Sequence, residues 1–186
     1  MCINSIIENA VNEHLNAINR LPEIYSDISV IANLMRDCID QGGKIIWMGN
    51  GGSAADSQHL AAEIVGRFKK ERKGMASIAL TTDSSILTSI GNDYGFDQIF
   101  SRQVEAVGKP GDILVGISTT GNSKNVVAAI ETGKEIGMIT VGFLGNDGGK
   151  LKRLCDQSLT VTATHTARIQ DSHIEIGHIL CEFIET

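Results

Sequence analysis

The stretch KIIWMGNGGSAADSQH, residues 44–59, decides the fold. Its four consecutive apolar residues, Ile45, Ile46, Trp47 and Met48, make too short a run for a helix and read as a buried strand. Gly49, Gly51 and Gly52 follow as a loop, and from Ser53 the chain turns helical. Such glycines let backbone N–H groups come close to a ligand, and a helix N-terminus attracts anions. Ser53 with Asp56 three residues on resembles a capping box, which is the plainer reading of both residues.

The same unit repeats outward along the chain. Short apolar runs read as strands at 44–49, 76–80, 112–118, 138–144 and 157–163. Helical stretches fall between them at 53–70, 84–91, 97–107, 123–136 and 147–154, with a last helix from about 168 to 185. Strand–helix alternation with unbroken apolar strands implies a parallel sheet covered on both faces. Ligands of such folds bind beyond the carboxyl ends of the strands. Two amphipathic helices, 4–20 and 23–41, come first, split near Pro22 and closed by Gly42 and Gly43. They have few evident duties within the α/β unit. The expectation is therefore a helical oligomerisation segment over 1–41 and one compact α/β domain over 42–186.

Composition narrows the function. With 16 Lys and Arg against 22 Asp and Glu, the net charge of −6 disfavours nucleic acid as the main partner. The nearest basic run, Lys69-Lys70-Glu71-Arg72-Lys73, reads as a solvated helix end. Cys2, Cys38, Cys155 and Cys181 form no CxxC spacing and no disulfide framework. The N-terminus does not read as a signal peptide, and no run approaches the ~20 apolar residues of a membrane span. A reduced, cytoplasmic setting is expected, with no membrane partner.

A second loop, STTGNSKN at 118–125, follows the third strand directly. Ser118, Thr119, Thr120 and Ser123 put four hydroxyls around a turn at Gly121, just before a helix. One or two would serve a turn or cap; four beside helix N-terminal amides make a phosphate cradle the better reading. Neither loop has the GxxxxGK[ST] arrangement of a P-loop. Gly49-x-Gly51-x-x-Ala54 does fit a dinucleotide fingerprint. The acid just past the second strand, Asp83, lies well beyond the usual offset of ~20 residues, and that reading leaves the hydroxyl-rich loop unexplained.

His59 and Glu63 stand four apart on the helix after the first loop, so they share a face. Such a pair can share a metal or a proton, and it is also common as a plain surface pair. On the last helix, Gln170 and His178 are two turns apart and roughly on one side. His173 lies about 140° from His178 on the helical wheel, so the two cannot easily serve one site. His173 and His14 read as structural, and His165 is unassigned.

Four blocks taken together, GNGGSAADSQHLAAE, GNDYGF (91–96), GDILVGISTTGNS (111–123) and RIQDSHIEIGH (168–178), resemble the phosphoheptose (sedoheptulose-7-phosphate) isomerase family of the sugar-isomerase (SIS) fold. The resemblance spans nearly the whole chain. It implies a three-layer αβα sandwich with a five-stranded, flavodoxin-like parallel sheet, in a homotetramer with interfacial active sites. It implies conversion of sedoheptulose 7-phosphate, a phosphorylated seven-carbon sugar, to D-glycero-D-manno-heptose 7-phosphate, the first step toward nucleotide-activated heptose for lipopolysaccharide core or capsule. By position, Ser118, Thr119, Thr120 and Ser123 would hold the phosphate. Asn50, Gly51, Gly52, Ser53, Glu63, Asn92, Asp93 and Gln170 would line the sugar site. Glu63 and His178 match the family's acid/base pair, and His59, Glu63, Gln170 and His178 match the zinc ligands of some members, one ion per subunit. The chain departs from the pattern at Thr166-Ala167, where the family often has an aspartate, and at Thr120, where a serine is common. The competing expectations are a non-catalytic SIS relative that binds a replication initiator, and an isomerase of another phosphosugar. Glu63 argues against the first, because that relative has no acid at the matching position.

Overall fold

The structure, a computed structural model, describes residues 2–186. Five strands, β1 (Ile45–Gly49), β2 (Ser77–Ala79), β3 (Ile113–Ser118), β4 (Ile139–Gly145) and β5 (Gln157–Val161), pair in parallel in the order β2-β1-β3-β4-β5. This is the flavodoxin-like order. The register sets Trp47 beside Val115, and Val115 beside Val141. Residues of β1 and β3, and of β4 beyond Ile139, are buried whichever way they point, as strands covered on both faces must be.

Alternate strand residues feed two cores. Ile45, Trp47, Val115 and Phe143 pack beneath α2 (Tyr25–Asp40), α3 (Gly52–Val65) and α8 (Thr166–Ile184). Trp47 meets Phe143 edge-on, their rings 6.0 Å apart at 87°. Ile46, Met48, Leu114 and Leu144 pack on the other face with α5 (Ser101–Val107), α6 (Lys124–Ile136) and α7 (Leu151–Leu154). α4 (Ser84–Asp93) follows the edge strand β2. Asp83 caps it, accepting from the Ile86 N–H at 2.9 Å, and so has local work that no ribose is needed to explain.

Several boundaries differ from the sequence reading. α3 stops at Val65 because Gly66 breaks it, so the basic run 69–73 is a loop and not a helix end. The helix expected over 97–107 is a 3₁₀ turn at Phe96–Gln98 followed by α5. Only four residues of 147–154 are helical, because Gly148 and Gly149 hold positive φ.

The N-terminal helices differ from one another. α2 buries Ile28, Ile31, Ala32, Met35 and Cys38 in the core. α1 (Ile3–Ile18) buries only Ala17, leaving Ile3, Ile6, Ile7, Val11 and Leu15 between 49% and 67% exposed.

His173 shows why one histidine of α8 is structural. It is fully buried against Phe143, and its Nε2–H donates to the Leu144 carbonyl at 3.0 Å. Nδ1 has no partner, so the ring is held neutral, and burial lowers its pKa to about 4. The unfolded chain binds this proton more readily than the native state does. Stability should therefore fall as pH drops from 6.5 toward about 4, by about 3 kcal/mol from this group. Urea unfolding at pH 7 and pH 4.5 checks this: a His173→Gln variant should lose correspondingly less between the two than the wild type does.

Candidate active site

β1 and β3 are neighbours whose chains leave to opposite sides of the sheet, and a crevice opens where such strands diverge. Both loops singled out in the sequence lie there. They are joined by a reciprocal amide pair: Asn50 donates to Asn125 Oδ1 at 2.9 Å, and Asn125 donates back to Asn50 Oδ1 at 2.8 Å. Asn125 also accepts from the Val126 N–H at the start of α6.

Within the second loop, Ser118 and Ser123 hydroxyls touch at 3.0 Å, and Thr120 Oγ1 accepts from the Asn122 N–H. Thr119 is half-buried and Thr120 exposed at the rim. The hydroxyls thus ring the N-terminus of α6, where an anion gains most. The loop after β4 clamps this turn from behind. Asn146 donates to the Thr119 carbonyl, and the Leu151 N–H donates to the Gly121 carbonyl. Gly121 has φ +64, and a Cβ there would sit 1.9 Å from the Gly148 carbonyl oxygen.

The first loop corrects the capping expectation. α3 begins at Gly52 with Gly51 as N-cap and no side-chain cap bond. Ser53 is buried one position inside the helix, so its hydroxyl cannot cap it. Asp56 lies between α3 and α8 with one carboxylate oxygen buried and unpartnered. Burial raises its pKa to about 6; the neighbouring His59 opposes the rise and Asp171 adds to it.

α3 and α8 lie side by side and run in the same direction, since Gly52 meets Gln170 and Leu60 meets Gly177. This brings three expected residues together. His59 Nε2 is 3.0 Å from His178 Nε2 and 3.2 Å from Glu63 Oε1. One imidazole of the pair must donate and the other accept, so a proton can pass along Glu63–His59–His178. Phe68 stacks on His178 with ring centres 5.3 Å apart at 19°. Two imidazole nitrogens and a carboxylate are donors that suit zinc. Here the three meet by direct contact, and among the described residues no group of three or more His, Cys, Asp or Glu is arranged to hold a metal ion.

The other expected residues lie elsewhere. Gln170 rests its amide on Gly52, seven residues up α3 from His59. Asn92 and Asp93 are exposed on the last turn of α4 and bond to each other at 2.8 Å. His14 Nδ1 lies 3.6 Å from Asp171, whose carboxylate pairs with Arg168, and Arg168 also donates to the Ala10 carbonyl. That network ties α1 to α8. His165 is the exposed residue preceding α8. Asn125, Asn146 and Phe68 were missed by sequence reasoning. The short polar residues looked like ordinary turn chemistry, and nothing local marks Phe68 as the neighbour of a histidine 110 residues away.

Residues 8–145 match the SIS domain family. Phosphoheptose isomerases of Geotalea daltonii and Geobacter sulfurreducens are 51% and 55% identical to the chain; the matches cover 96% and 92% of it and 94% and 89% of those proteins. This chain belongs to the phosphoheptose isomerase family. The structure of the phosphoheptose isomerase from Neisseria gonorrhoeae superposes with a TM-score of 0.94 at 42% identity, over 99% of each chain. That from Francisella tularensis gives 0.93 at 33% identity, over 100% of this chain and 99% of its own. The αβα sandwich is shared with these structures along the whole chain. Gly121→Ala tests the clamp. Steric conflict with Gly148 plus a left-handed φ should cost about 2–4 kcal/mol in urea unfolding, whereas wild-type stability would mean that the two loops are not packed as described.

Proposed function

We propose that this chain converts sedoheptulose 7-phosphate into D-glycero-D-manno-heptose 7-phosphate through an enediol. Membership of the phosphoheptose isomerase family supports the reaction. The observation that carries the assignment of residues is the meeting of Glu63, His59 and His178 across α3 and α8. Ser118, Thr119, Thr120 and Ser123 hold the phosphate with the N-terminus of α6. Asn50, Gly51, Gly52, Ser53, Asn92, Asp93 and Gln170 bind the sugar. Anchoring the phosphate orients the reacting carbons at the other end of the substrate.

Glu63 removes a proton from C1 of the open-chain ketose. The electron pair forms the C1–C2 double bond as the C2 carbonyl oxygen gains a proton from His178. The C1 hydroxyl then gives its proton back to His178, the pair moves to C2, and Glu63 returns its proton there. Each positioned acid or base contributes about 10²–10⁴-fold. Zinc held by His59, Glu63, Gln170 and His178, one ion per subunit, would stabilise the negative charge of the enediolate. Gln170 lies against Gly52, about 10 Å along α3 from His59 at 1.5 Å per residue, so it would join that set only from another subunit.

Glu63 lies eleven residues beyond Gly52, about 16 Å along α3 at 1.5 Å per residue. It therefore sits at the end of the helix away from the phosphate loop of its own chain. This separation favours a homotetramer in which the loops of one subunit face the α3–α8 pair of another. The exposed apolar stripe of α1 offers the surface for association. Among the described residues no helix is long and apolar enough to cross a membrane, and all four cysteines are free. Both fit a cytoplasmic enzyme at the start of nucleotide-activated heptose synthesis, for lipopolysaccharide core or capsule.

Incubation with sedoheptulose 7-phosphate in deuterated water, followed by NMR, tests the reaction. The wild type should form an aldoheptose 7-phosphate, and Glu63→Gln should abolish turnover while the oligomer, judged by light scattering, stays intact. Turnover by the variant would remove Glu63 as the base. For zinc, elemental analysis should find one equivalent per chain in the wild type and none in His59→Ala; no zinc in either would remove the metal from the reading.

A further inference from the structure

The loop after α3 is held by the far end of the chain. Glu185, just past α8, has a side chain only 1% exposed. Its carboxylate accepts from three consecutive backbone N–H groups, Phe68 and Lys69 at 2.8 Å and Lys70 at 2.9 Å, and from Arg72 Nε at 3.0 Å. Burial opposes ionisation, but these donors outweigh it and hold the carboxyl at about 2. Arg72 spends its other nitrogens on carbonyls. Nη2 donates to Glu63 at 3.1 Å, and Nη1 to Gly66 and Lys73 at 3.3 and 3.1 Å. Lys69 adds an ion pair with Glu182 at 2.7 Å. The loop thus reaches both members of the acid/base pair: Arg72 bonds the backbone of Glu63, and the Phe68 ring lies flat on His178.

We propose that Glu185 and Arg72 are positioning residues for the isomerisation, acting through this loop to hold Phe68 as the wall that fixes the plane of the His178 ring. A rotatable imidazole flanked by solvent would sample many orientations. A stacked aromatic on one face leaves it few, and keeps Nε2 aimed at His59. The carboxylate suits the task because it is acceptor-only and can serve several converging N–H groups at once. Gln in its place presents an amide N–H₂ to donors and should release the loop. The inference rests on the proposed isomerase reading, with Glu63 and His178 as its acid/base pair.

Steady-state kinetics with sedoheptulose 7-phosphate test it, with circular dichroism and light scattering to confirm fold and assembly. Phe68→Leu and Glu185→Gln should each lower kcat about 10–100-fold, the loss expected when a reacting group is held loosely. KM should stay within about twofold, because the phosphate is bound by a different loop. Phe68→Tyr, which keeps the ring, should restore most of the loss. If Glu185→Gln does not fold, the two Phe68 variants decide the matter. Wild-type kcat in Phe68→Leu would overturn the proposal, as would a loss confined to KM or an equal loss in Phe68→Tyr. A wild type that does not convert the sugar would instead overturn the isomerase reading itself.

Discussion

The close approach of α3 to α8 is the constraint on which the rest of the site depends. A Cβ on Gly177 would fall 2.5 Å from Leu60, and one on Gly52 would fall 2.5 Å from Gln170. Small residues at both ends of the contact let the two backbones come near enough for imidazoles on each to touch. A side chain at Gly177 would press on the buried Leu60 and strain the contact that lets His59 reach His178, whereas the Gln170 amide can swing aside from one at Gly52. The sheet underneath fixes the same geometry, since α3 and α8 both lie on the Trp47–Phe143 core. Interiors packed at this density transmit such displacements rather than absorb them.

Two kinds of chemistry are kept at opposite ends of the molecule. At the carboxyl ends of the strands, neutral hydroxyls and amides are organised by other neutral groups: the Asn50–Asn125 pair, Asn146 and the Gly148 carbonyl. Such a surface is ready for an anion without itself carrying charge. Toward the ends of α3 and α8, titratable groups cluster instead and are organised by charge, with Glu185 and Arg72 buried as a pair. A buried ion pair is weak evidence for stability, because desolvation offsets the attraction. Three backbone donors in addition to the guanidinium leave this carboxylate fully satisfied, so its effect is to fix one conformation of the loop.

The neutral buried histidine and the paired ones on α8 illustrate how one helix serves both needs. His173 faces the sheet and is spent on Leu144; His178, five residues on, faces α3. Helical geometry separates them by more than a third of a turn, which is why one histidine can be buried for structure while the other stands in the proposed acid/base cluster without conflict.

Much of this was legible in the sequence. Unbroken apolar runs such as 45–48 and 113–115 required strands covered on both faces, and the glycine- and hydroxyl-rich segments that follow them required loops at the ligand-binding edge. The i,i+4 spacing placed His59 beside Glu63. These are local consequences of periodicity, and local sequence fixes them. What charge Asp56 feels, which residue stacks on His178 and why Glu185 is ionised all depend on residues more than a hundred positions apart. The capping box failed for a nearer reason: packing of α3 on the end of β1 draws Ser53 inward against Gly49 and leaves Gly51 at the cap. Local pattern decides which elements form and which face is apolar; only the packed helices and sheet decide which side chains meet, because that depends on distances set by every layer between them.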